Sequence, residues 1–234
     1  MPSSICVTAV SPPRHKATSW PGVRARYASR CRAGRYHGAH GRGGSVQVAR
    51  YDGSMENVAA TAALVTVQTP AGAEMLLGES WAERPVVLAL MRHFGCQFCK
   101  DQVSQLVPAV PAIHEAGAEL VIVGSGNPSM AGFFAEDYHV TTPLFTDPTR
   151  EVYRAFGAKR PTWAALLNPR LYWNGLRVAL RGHWPGRPQG DLAQLGGVFI
   201  IRPNGDMPFA YRSTVAGDLP SIPRVLAELR RALA

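Results

Sequence analysis

The feature that most constrains this chain is a continuous apolar run, Val86-Val-Leu-Ala-Leu-Met91, separated by a short loop from Cys96-Gln-Phe-Cys99. An unbroken apolar run of that length reads as a strand buried on both faces, which requires a sheet covered by helices on both sides. From Cys99 to about Ala116 the apolar positions Val103, Leu106, Val107, Val110 and Ile113 fall at helical spacing. Pro108 and Pro111 are expected to kink or shorten that helix. The two cysteines thus stand where a helix begins, directly after a buried strand. A thiolate, not a thiol, is the nucleophile in disulfide exchange, and an ordinary cysteine with a pKa near ~8.5 is mostly protonated at neutral pH. The unsatisfied N–H groups and positive dipole of a helix N-terminus favour the anion at Cys96, and Lys100 and Arg92 add positive charge nearby. Cys99, one turn later on the same face, can reach back to close a disulfide. Cys96 is the candidate attacking thiol and Cys99 the resolving one.

Two other readings of these cysteines stay open on sequence alone. His93, Cys96 and Cys99 have ligand-like spacing and His114 could join them, although a structural zinc site normally has a second ligand pair. The cysteines could also be inert core residues. His93 itself could tune the thiolate or shuttle a proton, or be a solvated loop residue. The Gly124-Ser-Gly126 segment lacks the third glycine and the later acidic residue of a dinucleotide fingerprint and reads as a plain strand-to-helix turn.

The rest of the body supports an α/β chain. Leu64-Val-Thr-Val-Gln68 alternates and is followed by a Thr-Pro-Ala-Gly turn, giving a short hairpin or edge strand. Residues 80–85 read as a loop. Glu119–Gly124 is a second buried strand, Asn127-Pro128 opens a helix, and residues 143–147 form a short strand. Asp147-Pro148 starts a helix ended by Gly157. Residues 197–201 and 208–212 form a hairpin around Pro203-Asn-Gly-Asp206, and Ser221 caps a final helix. Strands alternating with helices imply parallel pairing and a layered α/β sandwich. Residues 158–196 break this rhythm as an aromatic-rich helical insertion. Positions 152–190 contain seven basic residues and no acid. The insertion reads as a helix covering the core, as a substrate or partner surface, or as a lid over the cysteines.

The net charge of +9 would suit a nucleic-acid binder, but its distribution argues against that for the body. Residues 1–50 hold nine basic residues and no Asp or Glu, whereas residues 51–234 hold 16 of each sign. A Gly-rich basic arm without apolar periodicity cannot offset its ordering entropy, so residues 1–54 are expected to be disordered. The arm reads as an organellar transit peptide, as a nucleic-acid-binding tail, or as a frame opened upstream of a true start at Met55. No nucleic acid is expected for residues 55–234, and no run approaches the length needed to span a bilayer. Cysteine usage fits a reducing compartment, so the expected location is cytoplasmic, or organellar if the arm is a transit peptide.

Arg92-His-Phe-Gly-Cys-Gln-Phe-Cys-Lys100, Thr146-Asp-Pro-Thr-Arg-Glu-Val-Tyr153, Gly190-Asp191 and Gln194-Leu-Gly-Gly-Val-Phe199, with Tyr211-Arg212 and Gly217-Asp218, resemble the peroxiredoxin-like (AhpC/TSA-type) family, in the branch that includes prostamide/prostaglandin F synthase. The resemblance runs from about residue 62 to the end. It implies a thioredoxin-like three-layer sandwich with a central mixed sheet, helices on both faces, and the helical insertion before the last hairpin. It implies antioxidant or endoperoxide-reducing chemistry at the CxxC pair, with no bound cofactor or metal. An external thioredoxin-type dithiol or an NADPH-linked system would reset the pair. The sequence departs from true peroxiredoxins in three places. His93 stands where they have Thr, Ala89 where they have Pro, and Gly196 where they have the Arg that polarises the peroxide and holds the thiolate. Without a substitute, fast peroxidase activity is not expected; Arg92, Arg212 or an insertion arginine could stand in. The expected function is a thiol–disulfide oxidoreductase acting on a peroxide, endoperoxide or disulfide substrate. The rivals are a non-catalytic binding module using the basic aromatic insertion, and a nucleic-acid binder using the arm.

Overall fold

The computed structural model describes residues 55–161, 167–184, 186 and 193–234; the basic arm lies outside the described residues. Helix α1 (Met55–Ala63) leads into a hairpin of β1 (Thr66–Gln68) and β2 (Glu74–Leu76), and then a 3-10 turn over Leu77–Trp81. Strand β3 (Val86–Leu90) is followed by α2 (Gln97–Leu106), a 3-10 turn over Val107–Ala109, and α3 (Val110–Glu115). The two prolines thus break one periodic segment into three pieces, because each lacks an N–H and crowds the preceding turn. Then come β4 (Glu119–Gly124), α4 (Pro128–Asp137), β5 (Leu144–Thr146), α5 (Glu151–Ala155), α6 (Pro169–Leu180), β6 (Gly197–Ile201), β7 (Phe209–Arg212) and α7 (Ile222–Leu233).

The strands form one seven-stranded sheet in the order β2-β1-β5-β4-β3-β6-β7. β3 pairs parallel with β4 and β4 with β5, whereas β6 runs antiparallel to β3, placing Val86 opposite Ile201 and Leu90 opposite Gly197. The sheet is therefore mixed, with β3, the strand that leads to the cysteines, near its centre. Alternation along β3 sorts the core into two layers. Val87, Ala89 and Met91 face Val103 and Leu106 of α2, Ile113 of α3, Phe134 of α4, and Val225 and Leu229 of α7. Val86, Leu88 and Leu90 face the other way, toward Val58 and Ala62 of α1, Trp81, and Val152 and Phe156 of α5. Helices on both faces make the expected three-layer sandwich.

Two local expectations are corrected, and one helix lies where no element was expected. α1 is a helix that the apolar spacing does not signal, since Val58 is its one large aliphatic side chain among four alanines, and it forms because Val58, Ala59 and Ala62 bury against the sheet. The segment read as a loop from residue 80 begins inside a 3-10 turn, held by burial of Leu77 and Trp81. Ser221 occupies the N-cap position of α7, but its side chain makes no capping bond there. Asn127 does cap α4, accepting from the Met130 N–H at 2.9 Å. Within the expected insertion, the described helix is α6.

Candidate active site

The site forms where β3 ends. The Met91 N–H donates to the Val123 carbonyl at 2.8 Å, the last link to β4. The hydroxyl of the fully buried Tyr153 donates to the Met91 carbonyl at 2.6 Å. The Ser125 hydroxyl donates to the Arg92 carbonyl at 2.6 Å. A Cβ at Gly124 would lie 2.6 Å from the Phe94 ring and one at Gly126 2.9 Å from it. The Gly-Ser-Gly turn thus admits Phe94 and anchors the loop bearing the cysteines; its glycines serve packing.

The loop delivers Cys96 to the N-cap of α2 in an extended conformation (φ −76°, ψ 122°) and Cys99 to its first turn. Cys96 is 5 % exposed and Cys99 2 %, and both are free thiols. The sulfurs are electrostatically unequal. Cys96 is lowered to about 6, first because the Cys99 thiol donates a hydrogen bond to it, then through the Arg92 guanidinium and the N–H groups of Cys99 and Phe98, all acting against burial. The Cys99 thiol is pushed well up by burial and by its bond to Cys96. Its sulfur accepts the Arg92 backbone N–H at 3.2 Å. One sulfur is thus an anion at neutral pH and the other holds the proton, the division of labour that attack and resolution require.

Arg92 is the cation of the site. Its Nη1 approaches Cys96 Sγ at 3.6 Å, and its Nε donates to the Gln194 carbonyl at 2.9 Å, which aims the guanidinium. Gln194 is buried, and its amide group donates to the Leu195 carbonyl at 3.0 Å and to the Ala158 and Lys159 carbonyls at 3.4 Å. Gly196, the position matched to the family arginine, cannot carry a side chain: a Cβ there would lie 2.0 Å from the Leu90 carbonyl oxygen of the neighbouring strand. The guanidinium therefore comes from the loop before Cys96.

The other candidates are placed as follows. His93 is buried, its Nδ1 has no protein partner, and burial followed by Arg92 lowers it to about 4, so it is neutral at pH 7. The Lys100 ammonium lies beside Gly186 and is not among the groups acting on Cys96. Arg212 is not brought to the sulfurs; its Nε donates to the Phe156 carbonyl at 2.6 Å and its guanidinium lies over the Phe199 ring. His114 is paired with Glu119 at 2.7 Å, away from the cysteines. Among the described residues no group of three or more His, Cys, Asp or Glu side chains is arranged to hold a metal ion.

A small cavity of about 10 Å³, the room of one water, borders Leu90, Arg92, Cys99, Gln102, Gly196 and Ser213. The Gln102 amide nitrogen is buried without a protein partner. Helix α6 covers α2. A Cβ at Gly175 would lie 3.5 Å from the Gln97 amide, Asn174 donates to the Ala216 carbonyl at 3.4 Å, and Arg181 pairs with Asp101 at 3.1 Å.

With this geometry in hand, comparison with known proteins is informative. Residues 105–215 match the family model of the AhpC/TSA antioxidant enzymes. The chain is thus similar to the AhpC/TSA antioxidant enzymes. The matched segment begins within α2, so Cys96 and Cys99 precede it. The chain is 29 % identical to "Peroxiredoxin-like 2C" of Bos taurus, over 68 % of its own length and 73 % of the relative's. It is 27 % identical to human "Prostamide/prostaglandin F synthase" over 65 % and 78 %. It is 25 % identical to "Thioredoxin-like protein AAED1, chloroplastic" of Arabidopsis thaliana over 66 % of each. Its fold is that of the bacterioferritin comigratory protein of Xanthomonas campestris (TM-score 0.55, 17 % identity, covering 75 % of this chain and 96 % of that one). Peroxidoxin BcpB of Mycobacterium tuberculosis superposes similarly (TM-score 0.53, 18 % identity, 71 % and 92 %). The expected thioredoxin-like architecture is thereby shown.

Sequence reasoning singled out both cysteines and Arg92 but missed the residues that position them. Tyr153 and Gln194 lie within the family-like blocks, which was the available signal. Ser125 and Gln102 carried none, because only the folded chain brings them to the loop.

Proposed function

We propose that this protein is a thiol–disulfide oxidoreductase that reduces a peroxide-type or disulfide substrate at Cys96 and Cys99. The supporting observation is the asymmetry of the pair: a Cys96 sulfur low enough to be anionic, hydrogen-bonded by a Cys99 thiol that keeps its proton. With a hydroperoxide, the Cys96 thiolate attacks one oxygen, the O–O bond breaks, and the departing alkoxide takes a proton. The sulfenic acid left on Cys96 is attacked by Cys99, which forms the S–S bond and releases water. An external dithiol then returns two electrons and two protons to the pair. Arg92 acts on the anion at Cys96 and on the charge that develops on the peroxide oxygens. With a disulfide substrate, the same attack gives a mixed disulfide that Cys99 resolves. The neutral His93 acts as part of the wall and carries no charge in either path. A pair that a dithiol must reset fits a reducing compartment, either the cytosol or an organelle such as one relative's name indicates.

The test is mass-spectrometric mapping of thiols before and after mild peroxide. The expected result is a Cys96–Cys99 disulfide, absent in Cys96→Ser and reversed by a dithiol. Survival of both thiols in the wild-type protein would overturn the reading.

A further inference from the structure

Helix α6 turns Leu171, Asn174, Gly175 and Val178 inward and Trp173, Leu176 and Leu180 outward. Trp173 is 62 % exposed, Leu176 52 % and Leu180 80 %, and they are followed by Trp184 at 67 %. Trp173, Leu176 and Leu180 recur at three- and four-residue spacing and so form one stripe along the helix, and Trp184 follows past the turn that ends it. The helix does not hang free: Asn174, Gly175 and Arg181 hold its inner side against the rest of the protein, so the outward stripe is a fixed feature of the fold. Between residues 167 and 184 the chain carries Arg170, Arg177 and Arg181 and no acidic residue; Arg181 is turned to Asp101, and Arg177 stands exposed beside the stripe.

We infer that this face of α6 docks on an anionic phospholipid bilayer. A helix with Trp and Leu on one side and Arg beside them is the pattern of a segment lying in the headgroup region, where apolar side chains enter the acyl boundary and cations meet phosphates. Two other occupants are disfavoured by charge. A second copy set helix against helix would bring Arg177 near its equivalent. The chain's own residues 1–50 carry nine basic residues and no acid, so they are repelled by the same helix. A folded acidic protein would satisfy the charge but needs a cavity for each protruding side chain. A fluid bilayer accepts side chains as exposed as Leu180 without prior complementarity. Docking does not depend on the redox reading.

The experiment is flotation of the full chain with phosphatidylcholine vesicles, with and without phosphatidylglycerol, alongside tryptophan emission. Binding to the anionic vesicles is expected, with a blue shift that added salt reduces. The double variant Trp173→Glu, Leu180→Glu leaves the basic arm intact and should lower partitioning more than about tenfold, since burial of either side chain is worth at least that much. Circular dichroism verifies its fold, and Arg177→Glu, a surface change, provides a second variant with a smaller loss. Equal flotation of wild type and double variant would assign binding to the arm and overturn the inference. So would absence of flotation, which leaves an acidic protein as occupant, or a concentration-dependent dimer abolished by the same double variant.

Discussion

If Cys96 is the attacking thiolate, its alkylation should titrate with a midpoint near 6, well below the 9.0 of an unperturbed thiol. The size of the effect depends strongly on where it is measured. At pH 7 a thiol with a pKa of about 6 is roughly nine-tenths ionised, against about one-hundredth for the ordinary thiol, a gain of about ninetyfold in thiolate. A less basic thiolate is a weaker nucleophile, and a Brønsted slope of about 0.4–0.5 over three units takes back a factor of about 15–30. The net advantage at pH 7 is then only about three- to sixfold. Near pH 5.5 the ordinary thiol is almost wholly protonated and the advantage grows to about thirtyfold. The assay is iodoacetamide modification of Cys96, followed by mass spectrometry across the acid-to-alkaline range and read as a midpoint rather than as one rate. Cys99→Ala removes the largest cause of the lowered value and should move the midpoint up. Arg92→Ala removes its main cationic cause and should move it up as well, while Arg92→Lys should restore part of the change. A wild-type midpoint at or above about 8 would refute the argument, as would a midpoint that neither variant moves.

Further outcomes follow from the supporting shell. His93 is held neutral in the fold and titrates at about 4 instead of 6.5, so the unfolded chain binds its proton first; stability is full above 6.5 and falls as the pH drops toward 4, a slope that urea titrations should find reduced in His93→Gln. Tyr153→Phe leaves the buried Met91 carbonyl without its hydroxyl donor and should cost about 1–3 kcal/mol in the same assay. Gly196→Ala puts a methyl against the Leu90 carbonyl and should yield no soluble folded protein or a loss above about 3 kcal/mol; Gly196→Arg should fare no better and should not raise peroxidase activity.

The buried strands, the parallel β3–β4 core and the helix opened by the cysteines were legible because each is signalled by local periodicity. The helix α1 was not, since an Ala-rich stretch has no outward and inward face until a sheet supplies one. The two cysteines were legible for the same local reason, and Arg92 because it stands four residues before Cys96. That Arg92 reaches the sulfur while Arg212 turns to Phe156 and Phe199 could not be read, because it depends on the Gln194 carbonyl arriving from a segment a hundred residues away. The absence of an arginine at residue 196 was visible in the sequence; its physical reason, the Leu90 carbonyl 2.0 Å from where a Cβ would be, was not.

The charged group and both sulfurs come from eight consecutive residues, 92–99. In an enzyme that borrows its arginine from a distant strand, reagent and scaffold must drift together or fail together. Here the reactive kit travels as one short cassette, and the elements around it are free to diverge so long as they keep it aimed. Differences in what such proteins consume should therefore accumulate in the covering helix, and a graft of that helix between two relatives is the economical way to exchange their preferences.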